Sequence, residues 1–175
     1  MDNDIAIVYF SVLIVLLAIA AVAVLRQALK TRRIETRLVK IQKKAMKGEA
    51  TAKDYYELGG IFLDKKLYIQ SIDQLQKALK AKDLEGEENI ALVYNALGFA
   101  YACQQQYDLA IRHYKDALKL QPAYVAAWNN LAFSYERKNL DAQALEAYEK
   151  VLEYEPKNAI AKKRAESMRK RLPVA

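Results

Sequence analysis

Residues 94–122 read YNALGFAYACQQQYDLAIRHYKDALKLQP, and 34 positions further on residues 128–156 read WNNLAFSYERKNLDAQALEAYEKVLEYEP. Laid over one another, Tyr94, Leu97, Gly98, Tyr101, Ala110, Tyr114, Ala117 and Pro122 fall on Trp128, Leu131, Ala132, Tyr135, Ala144, Tyr148, Val151 and Pro156. Eight matches at one offset mark an internal repeat, and a period of this size means stacked supersecondary units. An earlier unit, Tyr55, Leu58, Gly59, Phe62, Ser71, Leu75 and Ala78, keeps the same internal spacing, with Asp83 where the proline would fall. Its Leu-Gly pair lies 39 residues before the next one. The extra residues, around Gly86, Glu87, Glu88 and Asn89, are expected to form an acidic, exposed loop between units one and two.

An aromatic, then Leu-Gly, Tyr, Ala, an aromatic, Ala and Pro at this period is the signature of the tetratricopeptide repeat, a helical hairpin. Gly98 or Ala132 on the first helix and Ala110 or Ala144 on the second are expected where the paired helices cross most closely. Larger side chains there would cost roughly 1 to 3 kcal/mol. Pro122 and Pro156 cannot continue a helix interior and end the second helix of their units. The segment from Ala159 to Leu172 arrives on schedule but puts Lys162, Ala165 and Glu166 at the aromatic and Leu-Gly sites, as a terminal capping helix should. With five Gly and three Pro in 175 residues, turn-makers for a sheet are scarce. The expected class is therefore all-α: an N-terminal transmembrane helix, then a right-handed helical-hairpin solenoid of three repeats with a C-terminal capping helix.

The charge is as unevenly placed as the apolar residues: −2 over residues 1–25, +8 over 26–48, −5 over 49–156 and +6 over 157–175. From Ile5 to Leu25 there are 21 residues without a charge, enough helix to cross roughly 30 Å of hydrocarbon. Their Leu, Ile, Val and Phe contribute on the order of −4 to −8 kcal/mol to insertion. A cleavable signal peptide would have a basic leader and a shorter apolar stretch; here Asp2 and Asp4 precede the span and the cations follow it. The excess of Lys and Arg marks the retained side. The short N-terminus should be translocated, and a single-pass chain should keep its repeats cytoplasmic or stromal.

After the span, Ile34, Leu38, Ile41 and Ala45 recur at helical spacing, so residues 26–50 read as a basic amphipathic juxtamembrane helix beyond the 1–25 anchor. Its cations serve either as a topology signal on a solvated face or as contacts to anionic lipid at roughly 1 kcal/mol each. Arg26, Lys30, Arg32, Arg33, Arg37 and Lys40 are the candidate lipid-facing residues. No aromatic platform is interleaved with them, so nucleic acid is not an expected partner. Gly48 ends this helix, and Thr51 with Asp54 resembles a helix start. The repeats occupy residues 51–158, as units near 52–85, 91–124 and 125–158, followed by the capping helix and tail at 159–175.

In stacked hairpins of this kind the first helices line a concave groove. Places two, five, nine, twelve and thirteen of each unit supply Tyr56 and Leu63, then Leu92, Asn95 and Phe99, then Asn129, Phe133 and Arg137 as the candidate protein-binding residues. Asn95 and Asn129 stand 34 residues apart, and a side-chain amide both donates and accepts, so it can pair with the backbone of an extended peptide. Chaperone-binding members grip a C-terminal carboxylate with Lys and Arg in this groove. Here the corresponding sites hold Tyr56, Gly60, Ala96, Ala126 and Asn130, so that ligand is not expected.

Catalysis lacks parts. His113 is expected as a solvated residue on an outer second helix, and Cys103 as a small packing residue with no base beside it. One cysteine allows no internal disulfide. No cluster has metal-ligand spacing. An enzyme, a cofactor and a small-molecule substrate are all unexpected.

The whole layout includes a short acidic N-terminus, one span, Lys-Thr-Arg-Arg at 30–33, three repeats and a basic last helix. Together with Tyr-Glu-Leu-Gly at 56–59 and Tyr-Asn-Ala-Leu-Gly at 94–98, it resembles the small membrane-anchored photosystem I assembly proteins of cyanobacteria and plastids. The resemblance implies a thylakoid protein, N-terminus lumenal, that assists photosystem I assembly or stability by binding its subunits or intermediates. A general membrane-anchored scaffold for envelope biogenesis or chaperone recruitment is the alternative the same architecture would serve.

Overall fold

The computed structural model describes residues 2–172; Met1 and the tail 173–175, part of the anchor and the capping segment assigned above, lie outside it. The regular elements among the described residues are all α-helices, in the order α1 (Asp2–Met46), α2 (Ala52–Asp64), α3 (Tyr68–Lys80), α4 (Glu87–Cys103), α5 (Tyr107–Leu120), α6 (Val125–Arg137), α7 (Asp141–Tyr154) and α8 (Ala159–Arg171). They fall into two units, divided between Met46 and Lys47.

The first unit is α1. It is a 45-residue helix, long and apolar enough by length and composition to cross a membrane. From Tyr9 to Leu25 its large apolar side chains are exposed, while Lys43 and Lys44 in the last turn complement the negative end of the helix dipole. Gly48, with φ at +73°, follows it.

The second unit is a row of hairpins, α2/α3, α4/α5 and α6/α7, closed by α8, each helix packed on the next in the chain. Every hairpin turns in the same way. Leu67, Gln106 and Leu140 donate their backbone N–H to the carbonyls of Phe62, Tyr101 and Tyr135 at 2.8, 3.0 and 3.0 Å. Lys66, Gln105 and Asn139 sit just before them with φ near +60°. This six-to-one bond with a left-handed residue inside it is the Schellman stop, which satisfies carbonyls left over at the helix end. Only Asn139 is of a type that visits the left-handed region at low cost.

The core is made of small residues under aromatics: Ala110, Tyr114, Ala117, Ala132, Ala144, Tyr148 and Val151 are all buried in one cluster, with Leu75, Ala78, Val93 and Leu97 in another. The glycines of the signature sit at a close approach, and what approaches them is a side chain. A Cβ on Gly98 would meet the Tyr114 ring at 2.6 Å, and one on Gly59 would meet Leu75 Cγ at 2.6 Å. These glycines make room for a side chain of the partner helix rather than for its backbone. Ser71, where later units carry Ala110 and Ala144, is fully buried and donates to the Gly59 carbonyl at 2.8 Å.

The five extra residues between units one and two are not all loop. Gly86 is the N-cap of α4, which runs 17 residues against 13 for α2 and α6. Glu87, Glu88 and Asn89 therefore build an added, exposed first turn, where the two carboxylates favour a helix N-terminus. Asp83, standing at the proline site, folds back on the first unit. Both of its carboxylate oxygens accept from Ala52 N at 3.1 Å, beside a complete capping box between Thr51 and Asp54.

Candidate protein-binding groove

The first helices α2, α4 and α6 lie side by side, and hydrogen bonds tie α4 to α6 across the floor of the candidate groove. Asn95 on α4 donates from Nδ2 to the Tyr124 hydroxyl at 3.2 Å. Its Oδ1 accepts from Asn130 Nδ2 of α6 at 3.0 Å. Burial pushes the Tyr124 phenol above its ordinary value, Tyr56 adds to that rise, and the Asn95 bond opposes it. Burial also raises Tyr56. Asn95, Tyr124 and Asn130 are thus a half-buried, hydrogen-bonded polar cluster shared by units two and three, with Tyr56 of unit one near enough to raise Tyr124, and both phenols are neutral at physiological pH.

The amide ladder expected from the 34-residue register is only partly a ladder. Asn95 is engaged by the neighbouring unit, whereas Asn129 donates to the Val125 carbonyl of its own helix at 3.2 Å. The cross-unit partner is Asn130, one residue on. Tyr124, missing from the candidate set, precedes α6 and enters the floor through its long side chain. No periodic pattern in the sequence flags it.

Above the floor stand apolar side chains at equivalent places, Phe99 and Phe133, each 45% exposed, with Leu92 on the first turns of α4 at 37%. Leu63 on α2 is half-buried. Arg137 ends α6 and is held at the hairpin edge. Its Nε donates to the Tyr107 hydroxyl at 3.1 Å and its guanidinium lies 5.8 Å from that ring centre. The same pair of places is occupied by Cys103 and Tyr68 one unit earlier, in hydrogen-bond contact, and by Arg171 and Asp141 one unit later, an ion pair at 3.6 Å. A contact between the start of each second helix and the end of the next first helix therefore recurs down the array, with different chemistry each time.

Arg26, Lys30, Arg32, Arg33, Arg37 and Lys40 are exposed on α1. Burial lifts the Cys103 thiol above its ordinary value against the opposing Tyr68 bond, so the reactive thiolate is disfavoured. His113 is not the solvated residue expected: it is half-buried, its ring stacked 5.3 Å from Tyr101 and 6.0 Å from Tyr94. Burial holds its pKa below the usual value, Asp116 pulling against and Arg112 adding to the shift.

Residues 50–123 and 104–166 match the family description Tetratricopeptide repeat. The ycf37 protein of Cyanophora paradoxa is 38% identical over 168 residues, covering 94% of this chain and 95% of its own. The chloroplastic tetratricopeptide repeat domain-containing protein PYG7 of Arabidopsis thaliana is 36% identical over 94% of this chain and 54% of its own length. Among solved structures, YrrB, described as a tetratricopeptide-repeat protein with an unusual peptide-binding site, superposes with a TM-score of 0.68 at 22% identity, over 81% of this chain and 71% of its own. At that identity the likeness is one of fold.

Proposed function

The chain belongs to the ycf37 family of tetratricopeptide-repeat proteins, a class of protein-interaction scaffolds, and from that premise we propose that it is a non-enzymatic assembly or stability factor for photosystem I. In this reading α1 anchors it in the thylakoid membrane in a single pass, N-terminus in the lumen and repeats on the stromal or cytoplasmic face. The basic segment from Arg26 to Lys40 touches lipid, and the groove of Tyr56, Leu63, Leu92, Asn95, Phe99, Asn129, Phe133 and Arg137 holds a photosystem I subunit or intermediate.

The observation that carries the reading is the extent of the likeness to the ycf37 protein of Cyanophora paradoxa, which covers 94% of this chain and 95% of its own. The groove suits the task physically. A hydrogen-bonded polar floor under exposed phenylalanines binds an extended segment through its backbone and apolar side chains together. A membrane tether keeps that groove among membrane proteins under assembly, and confinement raises effective concentration so that a weak site suffices.

The test is recovery from native membranes. A tagged full-length copy solubilised in mild detergent should bring down photosystem I subunits, and a Phe99→Ala, Phe133→Ala copy present at equal level should not. Deletion should lower photosystem I selectively. A broad envelope or proteostasis defect with no subunit recovered would favour the general scaffold instead.

A further inference from the structure

The capping helix α8 continues the row of first helices, and it changes the chemistry of the groove. Arg164 stands 34 residues after Asn130 and makes the corresponding reach: as Asn130 bonds back to Asn95 on α4, Arg164 bonds back to Glu136 on α6 at 2.7 Å. Ala161, Ala165 and Met168 are buried in α8 as Ala127, Leu131 and Ser134 are in α6. In that register the places of Ala126, Asn129 and Phe133 are taken on α8 by Ile160, Lys163 and Ser167, and the place of Glu136 by Lys170. Ile160, Lys163, Arg164 and Ser167 line an open concavity of about 570 Å³.

The row of first helices therefore ends on a face with a net positive charge. Lys163 and Lys170 lie two turns apart on one face and are exposed. Neither is in an ion pair among the described residues, although Arg164, Arg169 and Arg171 are held by Glu136, Glu149 and Asp141. The arginines fasten α8 to the array; the two lysines do not. Glu166, three residues after Lys163 and four before Lys170, stands between them on the same stripe, so the row carries two cations and one carboxylate. Ile160, 72% exposed, stands at the start of the row as an apolar contact.

Resting on the groove reading above, we propose that the occupant is an extended protein segment of mixed order: apolar or aromatic side chains over Phe99 and Phe133, then acidic side chains over Lys163 and Lys170. Charge complementarity selects the acidic end, and continuity of the lysine row with the aromatic rows selects a single segment crossing both. The lysines act as a specificity filter, since exposed ion pairs add little affinity but reject like charge.

The test uses the full chain in nanodiscs of neutral phosphatidylcholine and end-blocked fluorescent peptides, with fluorescence anisotropy as readout. One peptide has a Phe-containing half followed by four Glu, a second reverses the order of the halves, and a third replaces Glu with Gln. One of the two acidic orders should bind about fivefold to tenfold tighter than the Gln peptide at low salt, and the advantage should vanish at high salt. Lys163→Glu with Lys170→Glu should abolish that advantage while leaving affinity for the Gln peptide unchanged, and Phe133→Ala should weaken all binding. Equal binding of acidic and Gln peptides, weakened by Phe133→Ala, would leave the groove standing and overturn the lysine row. An advantage that survives the charge reversal would also overturn it. So would protection of both lysines from acetylation in anionic-lipid nanodiscs alone, which would assign them to the bilayer, or a dimer that the charge reversal dissociates. Binding of no peptide would overturn the row and count against the groove itself.

Discussion

Gly98 and Tyr114 are packed so closely that a methyl group on the glycine would lie 2.6 Å from the tyrosine ring, which is itself 1% exposed. The ring belongs to a buried core cluster, so moving it aside disturbs the packing around it. Gly60, in the middle of α2, has nothing within 4 Å of where its Cβ would be. Two glycines in equally regular helix thus have opposite roles. Gly98→Ala should destabilise the array by about 1 to 3 kcal/mol through overpacking. Gly60→Ala should stabilise it by up to about 1 kcal/mol through helix propensity. Thermal unfolding followed by circular dichroism separates them, and a stabilised Gly98→Ala would show the wedge to be wrong.

Asp83 caps a helix that begins 31 residues before it, through Ala52 N. Asp83→Ala removes a charged acceptor from the start of α2 and should cost about 1 kcal/mol. Because the bond ties the first hairpin to its exit, the loss should appear first as faster amide exchange in the first turn of α2.

Gln105 holds φ at +61° in a turn that two other hairpins repeat. A non-glycine residue in that region costs about 1 kcal/mol or more. Gln105→Gly should raise the midpoint of urea unfolding, with a gain of about 0.5 to 1 kcal/mol after the added entropy of the unfolded chain. The same change at Asn139 should gain less, asparagine already tolerating the conformation.

His113 makes stability depend on pH. Its folded pKa lies below the usual 6.5, first because burial disfavours the imidazolium. The unfolded chain therefore binds its proton at higher pH than the folded one, and stability rises with pH in that window. The contribution is fully present above about pH 6.5 and is lost as pH falls through the folded value. Urea midpoints at pH 7.5 and 5.5 should differ more for the native chain than for His113→Gln, provided the rest of the titration is shared. A pH dependence unchanged by the substitution would contradict the burial of the charge.

Much of the array was legible because its signals are local. A 34-residue echo, a 3.6-residue apolar period and proline at a helix end each act within a hairpin, so the all-α class, the hairpin order and the capping helix follow from the chain alone. The candidate groove was legible more coarsely. Phe99 and Phe133 are equally exposed, as their equivalent places demand, yet the amide pairing jumped from Asn129 to Asn130, and Tyr124 entered unannounced. Periodicity names a helix face to within a residue; it does not say which of two adjacent amides is nearer a neighbouring helix.

Composition and repeat period by themselves determined an apolar N-terminal helix, a cation-rich segment after it and a stack of helical hairpins, because helix, span and hairpin each depend on residues close in sequence. Tertiary structure decided the partnerships: Asp83 with the start of α2, Tyr114 over Gly98, His113 between two tyrosines, Asn95 between Tyr124 and Asn130. Those depend on differences of a few tenths of an ångström in how neighbouring helices are spaced. Only the packed array brings such groups within the short reach of a hydrogen bond or a van der Waals contact.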